Sequence, residues 1–324
     1  MRILAIETSC DESSVALLDG DVVTQLTASQ IDVHKATGGV VPEVAAREHV
    51  AVMVPFVQRV LEQASVQPQE LDRIAVTAGP GLITSLLVGV ETARALAYGW
   101  NKPIFPVNHI AGHIAANFLI NKDIPFPAIA LVVSGGHTEL LYMPKPGEYE
   151  LIGATRDDAA GECFDKCARV LGLPYPGGPA ISEQAKTGAA TQYLFPRPLL
   201  NQPTFDFSFS GLKTAVLYFH RDHPEAPLAD VCAGVQEALV QTIYGKTARA
   251  VKTYNVKAVL VGGGVAANAA LRERLQTLSV PVFIPPLEYC TDNAAMIAAA
   301  CRLQNAPAKL FSFRADPNWE LTIR

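Results

Sequence analysis

With 324 residues, 49% of them hydrophobic and 18% charged, the chain has enough apolar sequence for two packed domains and falls outside the disordered class. A net charge of −5 with no Lys/Arg run excludes a protein that coats nucleic acid by its own charge, so a nucleic-acid partner needs a local patch or helper proteins. Six cysteines (Cys10, Cys163, Cys167, Cys232, Cys290 and Cys301) lack CxxC spacing and fit reduced thiols rather than a disulfide frame. Met1-Arg2 leads straight into an apolar strand, with no signal-peptide pattern and no apolar run long enough for a bilayer. The expected compartment is the cytoplasm, with no membrane partner.

In chain order, residues 2–18 read as a strand, a polar turn (Thr8-Ser9-Cys10-Asp11-Glu12) and a returning strand, with Asp19-Gly20 as a hairpin turn. Carboxylates buried in such a turn are costly unless they meet a metal or a donor, and Asp11 is expected in a solvated loop. Residues 41–64 carry a helical apolar rhythm with Pro42 near the start. A short strand (74–77) and Gly79-Pro80-Gly81 lead into a helix over 82–98, with Ala and Leu on several faces, so that it is buried or packed on a partner. A strand follows over 104–107.

His109 and His113 come next, four apart. On a helix they point the same way, the spacing two imidazole ligands of one divalent ion need; a hydrogen-bonded buried pair has the same spacing. The zinc-peptidase pattern requires Glu at position 110, where this chain has Ile110, which counts against peptide hydrolysis. Asp123 to Pro127, with two prolines, reads as the joint between halves.

Residues 129–143 repeat the opening pattern: aliphatic strand, small turn (Ser134-Gly135-Gly136-His137), and a return strand containing Leu140-Leu141. Glycines at 135 and 136 leave backbone N–H groups open to an anion, although an ordinary hairpin reads the same way. A helix is expected from Asp157 to about Leu171 with Asp165 inside it, and Cys163 and Cys167 read as packed thiols. Tyr175-Pro176-Gly177-Gly178-Pro179 is a rigid turn into another helix. Residues 194–214 are aromatic and irregular, an exposed binding loop or a hydrophobic clasp. Two long helices are expected over roughly 228–254.

A strand over 256–261, the Gly262-Gly263-Gly264 turn, Asn268 and a helix over 269–278 form a strand–glycine–helix cradle suited to phosphate. It matches neither the dinucleotide fingerprint nor the P-loop, and a plain turn stays open. After a strand over 282–284, Asp292 precedes a helix beginning at Ala294. It reads as an N-cap or first-turn acid, or as a third ligand for the histidine pair.

Taken together, Glu7-Thr8-Ser9-Cys10-Asp11-Glu12, Gly38-Gly39-Val40-Val41-Pro42-Glu43, Gly79-Pro80-Gly81, Asn108-His109-x3-His113, Val133-Ser134-Gly135-Gly136-His137-Thr138, Gly161-Glu162-x-Phe164-Asp165-Lys166, Tyr175-Pro176-Gly177-Gly178-Pro179, Phe207 to Thr214, Gly262-Gly263-Gly264-Val265-x2-Asn268 and Cys290-Thr291-Asp292-Asn293 resemble the TsaD (Gcp, YgjD) family in order over nearly the whole chain. The resemblance implies a two-lobed α/β fold of the actin/Hsp70/sugar-kinase (ASKHA) type, with a duplicated mixed-sheet core and a central cleft. The lobes are expected as residues 1–125 and 126–294, with about 295–324 packing back on the first. It further implies transfer of a threonylcarbamoyl group from threonylcarbamoyl-adenylate to N6 of the adenosine at tRNA position 37 in ANN-decoding tRNAs, with AMP leaving.

Carried over by position, His109, His113 and Asp292 match the family's metal ligands, with Fe2+ the expected ion and Zn2+ the alternative. Val132, Val133, Ser134, Gly135, Gly136, Asp165, Gly178 and Asn268 match its donor-binding positions. Glu12 is the candidate to position or deprotonate the adenosine amine, with His137 second. Two departures stand out: Val132 where relatives outside bacteria supply a Tyr ligand, and Ser182 where many members carry Asp. The implied partners are tRNA, a TsaB-type paralogue and a TsaE-type ATPase. The helix over 82–98 is the expected paralogue contact, with Val90 and Ala97 as its test positions. The rival readings are a metal-dependent peptidase, an old label for this family, a small-molecule kinase of the same fold, and a nucleotide-dependent scaffold without turnover.

Overall fold

Apolar-rich runs bounded by turn residues form the strands of two sheets in the computed structural model, which describes residues 1–35 and 39–321. Gly38 of the Gly-Gly-Val-Val-Pro-Glu motif and residues 36, 37 and 322–324 lie outside the described residues. The chain divides into two units, Met1–Lys122 with Pro285–Arg324, and Asp123–Ile284. Asp292, assigned to the C-terminal lobe on sequence, thus lies in the first unit.

In the first unit, strands β1 (Arg2–Glu7), β2 (Glu12–Asp19), β3 (Val22–Ser29), β4 (Arg73–Gly79) and β5 (Ile104–Asn108) stand in the order β3-β2-β1-β4-β5. β1 pairs antiparallel with β2 and parallel with β4, and β4 runs parallel to β5. The helices there are α1 (Ile31–Lys35), α2 (Pro42–Ala64), α3 (Ile83–Trp100) and α4 (His109–Ala115), followed in the second unit by α5 (Ala160–Val170), α6 (Gly177–Ala185), α7 (Ser210–Asp222), α8 (Leu228–Tyr254) and α9 (Ala269–Leu275), while α10 (Ala294–Arg302) returns to the first unit. The second sheet holds β6 (Ala128–Val133), β7 (Thr138–Met143), β8 (Glu150–Ala154), β9 (Ala258–Gly262) and β10 (Val282–Phe283) in the order β10-β9-β6-β7-β8.

Read from the other edge, that order is β8-β7-β6-β9-β10, the topology of the first sheet with the same sense of each pairing. The repeat read from the two hairpins is therefore a repeat of whole sheets. The central strands β1 and β6 are buried along almost their whole length, as strands covered on both faces must be. In both units, parallel strands end together: Glu7, Gly79 and Asn108 close β1, β4 and β5, and Val133 and Gly262 close β6 and β9. Ligand sites in such sheets form at these carboxyl ends.

Two sequence expectations are corrected. Residues 228–254 form one continuous helix of 27 residues rather than two, because no Gly/Pro pair interrupts the apolar rhythm there. Asp11 is buried rather than solvated, since its backbone carbonyl accepts from Gln30 N (2.9 Å) and draws the turn inward. Among the described residues, no helix is long and apolar enough to cross a membrane.

Candidate functional site

The first site grows from the end of β5. Asn108 caps α4: its side-chain oxygen accepts from Ile110 N (2.9 Å) and Ala111 N (3.3 Å). The helix so started carries His109 and His113 on one face, with both rings buried and their centroids 4.6 Å apart. Gly112, between them, leaves room for α10: a methyl group there would stand 2.7 Å from Ile297 Cδ1.

Asp292 stands just before α10, and the cap of that helix decides its role. Asn293, not Asp292, is the N-cap, accepting from Met296 N (2.9 Å). Ser14 Oγ and Gln25 Oε1 accept from the next two amides, Ala294 N and Ala295 N. With the helix end satisfied, the Asp292 carboxylate faces the histidines, at 3.1 Å from His113 Nε2 and 3.5 Å from His109 Nε2. The capping explanation for Asp292 is thereby removed.

His113 is fully buried, and neither ring nitrogen has a well-formed hydrogen bond among the described residues. A buried polar atom without a partner is costly, and a ligand removes that cost. One donor atom from each of His109, His113 and Asp292 lies within 4.8 Å of the others, a group able to hold a metal ion. Ligands about 2.1 Å from a tetrahedral ion stand roughly 3.4 Å apart, so the observed spacing needs little adjustment. The residues fit a metal.

Sequence reasoning missed Glu7. It ends a run of four buried apolar residues and is itself buried. Its carboxylate lies 3.2 Å from His109 Nδ1, accepts from Thr77 Oγ1 and Ser9 N, and Ser9 Oγ lies 3.1 Å from the same ring nitrogen. An acceptor on Nδ1 keeps the proton on that nitrogen and makes Nε2 the ligating atom. Burial works against a charged His109, but Asp292 and Glu7 outweigh it and push its pKa up to about 9. Burial holds His113 below the usual histidine range. The only sequence signal for Glu7 was an acid closing a buried strand.

Glu12 opens β2, half-buried, and its carboxyl is held well above the usual range by burial, then by the charges of Asp292 and Asp11. It belongs to the same acidic neighbourhood. His49, buried on α2, ties this turn from behind: its Nε2 lies 3.0 Å from Cys10 O and its Nδ1 2.7 Å from Ser13 Oγ.

The remaining candidates lie in the second unit. Val132 and Val133 are fully buried in β6, so only their backbones are available to a ligand. Ser134 N donates to His137 O (2.8 Å) and Ser134 Oγ accepts from His137 N (3.0 Å), closing the turn and leaving Gly135 and Gly136 exposed. Gly161, in the first turn of α5, donates to Ser134 O (3.0 Å). Asp165, on the same helix, accepts from Gly177 N (2.6 Å) at the start of α6, next to half-buried Gly178. Asn268 caps α9 through Leu271 N (2.9 Å), and its amide nitrogen donates to Ser182 Oγ (2.7 Å) and Gln236 Oε1 (2.9 Å). Ser182 thus takes part in a three-residue polar cluster, and Gln236 had no sequence signal. Cys163 and Cys167 are buried with their sulfurs 3.9 Å apart, as packed thiols.

The family model for "TsaD: tRNA N6-adenosine threonylcarbamoyltransferase" matches residues 21–299. A Kosmotoga olearia protein named tRNA N6-adenosine threonylcarbamoyltransferase is 49% identical over 303 residues, 92% of each chain. A Bacillus cereus protein of the same name is 49% identical over 332 residues, 99% of this chain and 96% of its own. Among solved structures, component A of the Acidaminococcus fermentans (R)-2-hydroxyglutaryl-CoA dehydratase shares the fold, with a TM-score of 0.56 at 15% identity over 94% of this chain and 96% of its own. The order of the motifs, the doubled sheet and the His-His-Asp group agree with these matches, and the chain belongs to the TsaD family of tRNA N6-adenosine threonylcarbamoyltransferases.

Proposed function

We propose that this chain transfers the threonylcarbamoyl group of threonylcarbamoyl-adenylate to N6 of adenosine 37 in ANN-decoding tRNA, releasing AMP. The observation that carries the proposal is the His109–His113–Asp292 group, with both imidazoles buried, Asp292 half-buried beside them and no well-formed hydrogen bond on the His113 ring among the described residues, in a chain of this family. In the reaction, N6 attacks the carbamoyl carbon, the bond from that carbon to the phosphate oxygen breaks, and the amine proton leaves to a base. Imidazole-rich donor sets favour Fe2+ or Zn2+ over magnesium, and Fe2+ is the ion proposed. When bound, the ion supplies Lewis acidity to the acyl transfer.

The chain's own groups account for the rest. Exposed N–H groups at Gly135 and Gly136 suit the donor's phosphate or acyl oxygen. Asp165 suits the ribose hydroxyls, and Gly178 and Asn268 suit the adenylate end. Glu12, whose raised pKa makes it a stronger base than an exposed carboxylate, is proposed to position or deprotonate N6, with His137 as the second candidate. Glu12→Gln is expected to lower turnover by about 10²- to 10⁴-fold, the usual contribution of a positioned base, with donor affinity little changed. Single-turnover kinetics beside AMP-binding titrations check this, and equal losses of both would remove the role.

The peptidase reading is not favoured, because Ile110 is buried where that chemistry needs a Glu. For the tRNA transferase the test is nucleoside mass spectrometry after incubation with partners, donor and unmodified tRNA. Product from wild type and none from His109→Ala supports it. No product, beside an active reference transferase, turns the reading to a kinase or scaffold.

A TsaB-type paralogue and a TsaE-type ATPase are proposed as the helpers an acidic chain needs to hold tRNA, in the cytoplasm. The paralogue surface needs a correction. Val90 and Ala97 face the core, so a Glu there breaks the fold rather than an interface. The exposed large hydrophobic residues on the packed helices α2 and α3 are Val50, Val54, Ile83, Leu87 and, near the end of α3, Tyr98. Leu87→Glu is expected to weaken paralogue association at least roughly 10-fold while leaving Tm within a few degrees, since exposed substitutions change stability little. Light scattering and calorimetry with the purified paralogue check it.

A further inference from the structure

The C-terminal segment after α10 has no part in the chemistry above, yet it is tied to the metal helix. Ala308 N donates to Ile104 O (2.9 Å) and so bridges onto β5, the edge strand of the first sheet. Leu310, Phe313, Ala315 and Trp319 pack against the core of that unit. Arg94 of α3 donates to Phe313 O, with its guanidinium 4.7 Å over the Phe313 ring. Further along, Asp316 N donates to Ala78 O (2.7 Å) and Pro317 O accepts from Gly81 N (3.3 Å). The approach is so close that a methyl group on Gly79 would stand 1.9 Å from Asp316 O.

The segment ends on Asn108. This side chain is 3% exposed and uses both ends of its amide. The oxygen caps α4 at Ile110 N and Ala111 N, and the nitrogen donates to Trp319 O (2.9 Å), 211 residues away. A cap alone needs only the oxygen. A second route runs from the same segment to the same imidazole. Gly81, held by Pro317, precedes Leu82, whose N–H donates to Ser9 O (2.8 Å), and Ser9 Oγ lies 3.1 Å from His109 Nδ1.

We propose that segment 308–319 positions the metal histidines, with Asn108 as the positioning residue that couples Trp319 to α4. Its inward pull sets where α4 begins, and therefore where His109 and His113 present Nε2. Outer partners of this kind orient ligands and tune the site without touching the ion. The inference rests on the metal reading above, and the test separates the two.

The probe is Co2+ added to the metal-free full-length protein, followed by visible absorption, which reports affinity and ligand geometry together. Asn108→Ser keeps a cap but cannot reach Trp319. Asn108→Asp keeps the cap oxygen and has no hydrogen to donate. Both are expected to bind Co2+ about 10- to 100-fold more weakly, the usual cost of an outer partner, with a shifted spectrum and unchanged AMP binding in the second unit. Coupling is reciprocal, so Co2+ should slow hydrogen exchange at the Asp316 and Trp319 amides in wild type and not in His109→Ala. Wild-type Co2+ affinity and spectrum in both Asn108 variants overturn the inference while leaving the metal reading intact. Wild type that binds no Co2+, or His109→Ala that binds it equally well, overturns the metal reading and this inference with it. If the Asn108 variants fail to fold, Arg94→Ala loosens the segment at Phe313, away from the ligands. Weakened Co2+ binding there supports the inference, and wild-type binding overturns it.

Discussion

His113→Ala is expected to abolish metal binding at the His109–His113–Asp292 group and, with it, formation of threonylcarbamoyl-adenosine. One of three donors is lost, and it is fully buried, so no solvent-exposed side chain can swing in to replace it. Loss of affinity should exceed the roughly 10- to 100-fold that follows loss of an outer partner. Competition against a chromophoric chelator measures the first effect, and nucleoside mass spectrometry the second. AMP titration serves as the folding control, because the donor candidates all lie in the second unit. A His113→Ala protein that turned over normally would remove the metal from the mechanism.

The same group carries a pH signature. Against the opposing effect of burial, Asp292 and Glu7 push the His109 pKa up to about 9 in the metal-free fold, from an ordinary value of 6.5. A raised histidine stabilises the fold fully below its unfolded pKa and loses that contribution as pH rises through the folded one. The Tm of the metal-free protein should therefore fall between pH 6.5 and 9. Glu12, also raised, contributes in the same direction, whereas His113, held below the ordinary histidine value, acts in the opposite direction as pH rises through 6.5 and adds little above it. Metal affinity should rise over the same window, because the ion must displace a proton from His109. His109→Ala should flatten the Tm trend.

Gly161→Ala is the second large effect. A methyl group at Gly161 would stand 2.7 Å from Ser134 O and 2.8 Å from Gly135 Cα, backbone atoms that cannot rotate aside. Those atoms belong to the turn whose open N–H groups are proposed to hold the donor. Either α5 or the turn must shift, and overpacking of this kind costs about 1–3 kcal/mol. Placed on donor binding, that cost corresponds to roughly 5- to 150-fold in affinity. Calorimetric titration of AMP should show the loss, and Co2+ binding at the histidines should stay at wild-type strength. Unchanged AMP affinity would remove the turn from the donor site.

The contrast between these two sites shows what was legible in advance. The metal pair was visible because both histidines sit on one helix, where spacing alone puts side chains on one face. The doubled sheet was visible because each half opens with the same strand, turn and strand. The donor turn was visible as glycines between apolar strands, but Gln236, which completes the cluster with Ser182 and Asn268, was not, because it lies mid-helix in α8 with no local mark.

Three decisions belong to the tertiary structure alone. Asp292 had two readings on sequence, cap or ligand, and Asn293 settles it by taking the cap. Glu7 reaches His109 across 102 residues because β1 and β5 flank β4 and end together. Asn108 finds Trp319 only after the C-terminal segment has returned to the first sheet. By itself the sequence determined the local periods, the turns, the family and the shared helical face of the histidine pair. Which acid ligates, which orients and which residues of α3 meet solvent were decided by contacts between segments far apart in the chain. Local spacing carries no information about such contacts, since they follow from which strands lie side by side.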